Sequence, residues 1–284
     1  MTLRTSVDGP VATITIDNPA KRNAMTAQMW RSLPTLLKEF QNHSLVRVVV
    51  LTGAEGTFSA GAAITWAGAK QRAASPPKEP PTVPDHLANE DPSLPDDLIP
   101  DAGGSDALEV ANLTVLAEEA LAAFPKPTIA RIEGDCVGGG CQLALACDLR
   151  LASPGARFGV TPARLGVVYP AASTARLVDT VGLAGAKWLL LTGDLIPAEQ
   201  AWRLGLVHEV ASDLDARVAA LTATLASRSL LSQAAAKEIM AMSAYGVDAA
   251  RVHHWMNLMR DSGEAAEGAA AFLDRREPNF PWKP

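Results

Sequence analysis

Glu133-Gly-Asp-Cys-Val-Gly138-Gly-Gly-Cys-Gln-Leu143 joins a strand-like run, Thr128-Ile-Ala-Arg-Ile-Glu133, to a helix read over residues 141–147. Glycine lets the backbone turn tightly and approach a ligand closely. The helix behind it starts with unpaired N–H groups and the positive end of its dipole. A second junction lies upstream, where the apolar run Arg47-Val-Val-Val-Leu-Thr52 leads into Gly53 and then Phe58-Ser-Ala-Gly-Ala62. That run suits a buried strand. Two such strand ends can aim two backbone N–H groups at one developing negative charge, which is an oxyanion hole. Spacing alone leaves the plainer reading beside it, that both stretches are only turns.

Outward from these junctions the chain alternates strands and helices. Val11-Ala-Thr-Ile-Thr-Ile-Asp17 reads as a strand closed by Asn18-Pro19. Met29, Trp30, Leu33, Leu36, Leu37 and Phe40 recur at helical spacing over 27–42, with Pro34 expected to kink that helix or move its start. Residues 70–106 are rich in proline and acidic side chains and too poor in apolar ones to form a core. They read as an insertion, either a tolerated surface segment or a lid over the site. A helical stripe of Leu113, Leu116, Ala120 and Phe124 follows, closed by Pro125 and Pro127, and Leu149-Arg-Leu-Ala-Ser153 is a further strand. Beyond Thr174 the pattern is helical, near 186–192, 198–204, 214–228, 231–243, 247–261 and 264–275. The expected fold class is α/β, with a core at 1–69 and 107–205, the insertion at 70–106, and a helical region at 206–284.

Bulk properties narrow the function. A net charge of −6 and a pI near 5.4 argue against broad nucleic-acid binding, though a local cationic site for a phosphorylated ligand remains open. No apolar run is long enough to span a bilayer, and Met1 to Pro10 has no basic region followed by an apolar core. A cytoplasmic location without membrane contact is expected. Cys136, Cys141 and Cys147 match no zinc spacing, so reduced thiols and no metal are expected.

Taken in order, several motifs resemble the enoyl-CoA hydratase/isomerase (crotonase) superfamily. They are Asn18-Pro-Ala-Lys-Arg-Asn-Ala-Met25, Leu51-Thr-Gly53 with Phe58-Ser-Ala-Gly-Ala62, Phe124-Pro-Lys-Pro127, and Glu133-Gly134 through Gly138-Gly-Gly-Cys-Gln-Leu143. Further along come Cys147-Asp-Leu149, Leu191-Thr-Gly193, Ala201 through Gly205-Leu-Val207, and Phe272-Leu-Asp-Arg-Arg-Glu-Pro-Asn-Phe280. The resemblance implies a crotonase (ClpP-like) spiral of ββα units with a C-terminal helical trimerisation region, assembled as a homotrimer or a dimer of trimers. It implies an acyl-CoA substrate, with no cofactor beyond the coenzyme A of that substrate. It places the N–H groups of Ala62 and Gly139 on the thioester oxygen, where they stabilise an enolate. Lys21 and Arg22 would lie beside the CoA phosphates and the backbone near Ala60 beside the adenine, with Arg275 or Arg276 reaching a neighbouring subunit's CoA. Gly138, Gln142 and Pro162 would line the substrate.

The resemblance also exposes a gap. The two glutamates of a hydratase would fall at Gln142 and Pro162, and neither side chain exchanges a proton near neutral pH. A further acid used by some dienoyl-CoA isomerases would fall at Pro170. Thr161-Pro-Ala-Arg-Leu-Gly-Val-Val-Tyr169 instead resembles the methylmalonyl-CoA decarboxylase branch, although that branch has histidine where this chain has Ala62. There Tyr169 would orient a departing carboxylate; otherwise it is a tyrosine packed beneath the acyl pocket. Decarboxylation of a malonyl-type ester therefore stands first. Hydration or isomerisation through Tyr169, Asp135 or the insertion stands second, and an acyl-CoA-binding subunit without chemistry third. Asp135 reads first as a turn cap and Arg164 as a solvated residue. The histidines offer no replacement: His208 reads as structural, His253 and His254 as surface or interface, and His43 and His86 fall in a helix end and in the insertion.

Overall fold

The computed structural model describes residues 1–63, 105–242 and 246–284, so most of the proline-rich insertion, His86 included, lies outside the described residues. Internal contacts gather Met1–Ala63 with Ala111–Pro284 into one unit and leave Ile64–Val110 as another. The first unit carries the sheets and the site.

Strands β1 (Thr2–Asp8), β2 (Val11–Asp17), β3 (Val48–Gly53), β4 (Thr128–Ile132), β6 (Leu149–Ala152) and β9 (Glu209–Val210) form one sheet in the order β1-β2-β3-β4-β6-β9. The β1–β2 pair is an antiparallel hairpin and the other pairs are parallel. Buried Val48, Val49, Val50 and Leu51 make β3 the near-continuous apolar run that a central parallel strand needs. β1 has no counterpart in the sequence reading, because six of its seven residues are exposed and show no alternation.

A second, smaller sheet holds β5 (Asp135–Val137), β7 (Arg157–Gly159) and β8 (Ile196–Pro197). β4 passes through Gly134 into β5 and then into α3 (Gly139–Ala146); β6 passes into β7 and α4 (Pro162–Leu165). Each unit puts one strand in each sheet before its helix, which is the repeating ββα step of the expected spiral. Ser59 makes an isolated parallel bridge to Cys136, so the segment after β3 takes the same place one step earlier.

Helix α1 (Ala27–Asn42) is capped by the Thr26 hydroxyl on Met29 N–H and buries Met29, Trp30, Leu33, Leu37 and Phe40. Pro34 lies inside it and does not move its start. The far end of α1 carries no basic residue of its own. Lys126 supplies the cation from the Phe-Pro-Lys-Pro motif, donating to Phe40 O at 2.7 Å and His43 O at 3.1 Å while only 2% exposed. That position suits the negative end of the helix dipole. Burial, then Arg47 and Lys283, push the Lys126 ammonium down to about 8. Lys126→Met is expected to lower stability by about 1.5–3 kcal/mol, the range for hydrogen bonds from a charged donor. Urea unfolding measures it; an unchanged midpoint would show that this cap contributes nothing net.

Helix α2 (Ser105–Ala122) starts before the expected stripe and turns differently from it. Thr114, Ala117, Glu118 and Leu121 face inward, whereas Leu116 is 62% exposed. The C-terminal part contains α5 (Ala171–Thr192), α6 (Ala198–Arg203), α7 (Leu214–Ser227), α8 (Leu230–Met242), α9 (Ala249–Ser262) and α10 (Glu264–Asp274). Among the described residues no helix is long and apolar enough to cross a membrane.

Candidate functional site

The Ser59–Cys136 bridge sets the site by register. Three residues beyond each partner, the parallel segments reach Ala62 and Gly139. Phe58 N–H donates to Glu133 O at 2.7 Å, Ser59 N–H to Asp135 O at 2.8 Å and Val137 N–H to Ser59 O at 2.9 Å, which lock this register. Beyond it the chains stay in contact: a Cβ built on Gly61 would lie 2.8 Å from Val137 O and 3.0 Å from Gly139 N. Gly61 also has φ +98°, so no other residue fits there. Met25 binds the outer side, donating to Gly61 O and accepting from Ala63 N–H, both at 2.7 Å.

Ala62 N–H and Gly139 N–H are left as neighbours, and among the described residues neither reaches an acceptor. Gly139 is the first residue of α3, all eight residues of which are buried, so the helix dipole adds to its N–H. Two unpaired donors at one point can hold an anionic oxygen. The structure thus brings together the pair expected from sequence, with Gly138 between β5 and α3.

Gln142, one turn along α3, leads to a polar cluster that the sequence reading missed. Its Nε2 donates to Ser173 Oγ at 2.7 Å and lies 3.5 Å from Glu118 Oε2. Ser173 Oγ donates to the same carboxylate oxygen at 2.5 Å, and Arg176 donates to the other. Glu118 and Ser173 are 0% exposed. Burial raises the Glu118 carboxyl above the usual range, outweighing the Ser173 hydrogen bond and the Arg176 charge. Tyr169 packs on the core, and its hydroxyl is buried without a partner among the described residues. Burial first, then the neighbouring Cys141 and Glu118, push this phenol well above its usual value, so it stays a neutral donor. Pro162 opens α4 and is buried.

Two of the four expected cations, Arg22 and Arg276, are engaged in ion pairs. Arg22 is 73% exposed and 3.6 Å from Asp135, and its carbonyl accepts from Ala60 N–H at 2.8 Å. Lys21 is exposed and makes no ion pair among the described residues. Arg276 forms a two-pronged pair with Glu267 at 2.7 and 2.9 Å, while Arg275 ends α10 with φ +53°. One expectation is corrected. Asp135 is a β5 residue paired with Arg157 at 2.7 Å, not a turn cap. Arg164 is an exposed α4 residue, as expected, and pairs at the surface with Asp194 at 2.7 Å. His208 Nδ1 accepts from Arg150 N–H at 3.1 Å beside β6. The cysteines are buried free thiols, and burial pushes Cys147 up to about 12. Among the described residues no cluster suits a metal ion.

A family model described as enoyl-CoA hydratase/isomerase matches residues 7–82 and 106–283. The 2,3-dehydroadipyl-CoA hydratase of Escherichia coli is 31% identical over 275 residues, covering 95% of this chain and 94% of that protein. A solved enoyl-CoA hydratase/isomerase family member superposes with a TM-score of 0.80 at 35% identity, over 100% of this chain and 97% of its own. The enoyl-CoA hydratase of Mycobacterium smegmatis superposes with a TM-score of 0.78 at 25% identity, over 98% of each chain.

Proposed function

The chain belongs to the enoyl-CoA hydratase/isomerase family, and from that premise we propose that it holds an acyl-CoA carbonyl oxygen between Ala62 and Gly139 N–H and catalyses an enolate reaction of the hydratase/isomerase type. The adjacency of these two acceptor-free donors is the observation that carries the reading. They act at the moment charge reaches the oxygen, so they lower the barrier more than they tighten substrate binding. Lys21, exposed and without an ion pair among the described residues, is a cation open to meet a CoA phosphate.

Decarboxylation loses ground on electrostatics. The Glu118 charge acts on the Tyr169 hydroxyl, so a malonyl-type carboxylate drawn to that hydroxyl would meet the field of a second carboxylate. The relatives named above also carry hydratase names. Mass spectrometry after incubation with crotonyl-CoA, a 3-enoyl-CoA and methylmalonyl-CoA separates the readings. Water gain or a double-bond shift supports the proposal. Loss of carbon dioxide alone would restore decarboxylation, and tight binding without any turnover would favour the binding subunit.

Assembly into a trimer is supported by large apolar side chains left in solvent: Trp188 and Leu191 on α5, Trp202 on α6, and Phe272 and Leu273 on α10. Such exposure marks an interaction surface when it is contiguous. Light scattering on the purified protein should return a multiple of three chains; a monomer at micromolar concentration contradicts the trimer.

A further inference from the structure

We propose that Glu118 is the catalytic carboxylate, moving a proton between carbons of a bound β,γ-unsaturated acyl-CoA, with Gln142, Ser173 and Arg176 as positioning residues. The proposal rests on the reading that Ala62 and Gly139 hold the thioester oxygen.

Enolate formation removes a proton from the carbon beside the carbonyl, and some group must take it. The positions where a base was expected hold Gln142 and Pro162. Gln142 points its amide toward Glu118, so a carboxylate does stand there, carried by α2 instead of α3. Gln142 is three residues from Gly139 on one helix, hence on the same side and about 4.5 Å further along the axis. The carboxylate cluster therefore lies about one helical turn from the donor that holds the oxygen.

A structural ion pair with Arg176 is the plainer account of Glu118, and it explains too little. Arg176 already has Glu119, 2.9 Å away and half-exposed, as a counter-charge. Burying a second carboxylate beside it, 0% exposed, is a weak route to stability. Within reach of the Glu118 charge, the buried Tyr169 hydroxyl has no partner among the described residues and is a donor that a substrate could use. Ser173 and Gln142 bind one carboxylate oxygen and Arg176 the other, which fixes the plane of the group.

One carboxylate suffices for a double-bond shift. Glu118 takes a proton from Cα of a 3-enoyl thioester, and the C–H electron pair moves toward the carbonyl, whose oxygen becomes the enolate. The protonated Glu118 then returns the proton to Cγ. The electrons flow back through the conjugated system, and the double bond ends between Cα and Cβ. Nothing is oxidised or reduced, and no water enters.

The test uses the full-length protein in deuterated water with a 3-enoyl-CoA, following conjugation by absorbance and deuterium uptake by mass spectrometry. Glu118→Gln is expected to lose about 10²–10⁴-fold in kcat with acyl-CoA affinity unchanged. Ser173→Ala is expected to lower kcat with KM little changed, as a positioning role requires. Glu118→Gln at the unaltered rate overturns Glu118 and leaves the oxyanion reading standing. If the unaltered enzyme neither shifts the bond nor exchanges deuterium, the enolate reading fails and Glu118 with it. Should Glu118→Gln fail to fold, Glu118→Asp decides: a clear loss of kcat at an unchanged melting temperature supports the proposal, and the unaltered rate overturns it.

Discussion

Gly139→Val is expected to lower kcat/KM by about 10²–10³-fold, the usual effect of losing one oxyanion donor. Gly139 has no room on its Cα. A Cβ there would lie 3.1 Å from Ala62 N and 3.0 Å from Trp30 Cζ2, in contact with the N–H that must stay open. Two further methyl groups on a β-branched chain fill the space where the thioester oxygen sits. The backbone at Gly139 lacks the positive φ that would make any side chain strained, so the protein should still fold. Overpacking against the buried Trp30 is expected to reduce stability by about 1–3 kcal/mol. Steady-state kinetics on whichever acyl-CoA is turned over, beside a circular dichroism melt, measure both effects. A folded variant with undiminished turnover contradicts the oxyanion assignment.

The second large effect is expected at Asn23, far from the chemistry by sequence but bonded to the loop that delivers Ala62. Asn23 is 0% exposed. Its Nδ2 donates to Ala54 O at 2.8 Å and Thr57 O at 2.5 Å, and its Oδ1 accepts from Asn18 N–H at 3.0 Å. Its own carbonyl accepts from Ser59 Oγ at 2.8 Å, and that hydroxyl accepts from Gly61 N–H at 3.1 Å. The Asn-Pro-Ala-Lys-Arg-Asn motif thus grips the segment between β3 and the site. Asn also tolerates the left-handed backbone found here, φ +56°. Asn23→Asp replaces the donor by oxygen and sets a buried carboxyl group against two carbonyls. A loss of about 3 kcal/mol or more is expected, with Asn23→Ala less harmful. Urea unfolding of both variants checks the order; an aspartate variant as stable as the parent would show that the loop is held by other contacts.

The long elements were legible because their burial is one-sided and regular. β2, β3, β4, β6, α1 and most C-terminal helices stand close to where periodicity put them. The short strands β5, β7 and β8 have no counterpart in the sequence pattern, since two or three residues cannot display a period. The Ala62 and Gly139 pair is legible through the ordered family motifs that contain it, since the glycine spacing alone leaves the plain-turn reading open. Glu118 is not, for a physical reason. The expected stripe in α2 runs through Leu113, Leu116, Ala120 and Phe124, yet Leu116 faces solvent and the buried face runs through Thr114, Ala117, Glu118 and Leu121. An alanine-rich helix with a buried carboxylate inverts the rule that charges mark the outer face. Its partners, Ser173 and Arg176, lie 55 and 58 residues away in sequence, and only the fold brings them together. An acidic residue at helical spacing among Ala117 and Leu121 was the available signal, and it is too common on surfaces to stand alone.

A thioester oxygen held between Ala62 and Gly139 N–H has a polarised carbonyl. Isotope-edited infrared spectroscopy of a carbonyl-labelled acyl-CoA bound to the protein tests it most directly. A carbonyl band shifted to lower frequency on binding is expected, with most of the shift lost in Gly139→Val. A bound thioester whose band stays at its solution frequency would contradict it.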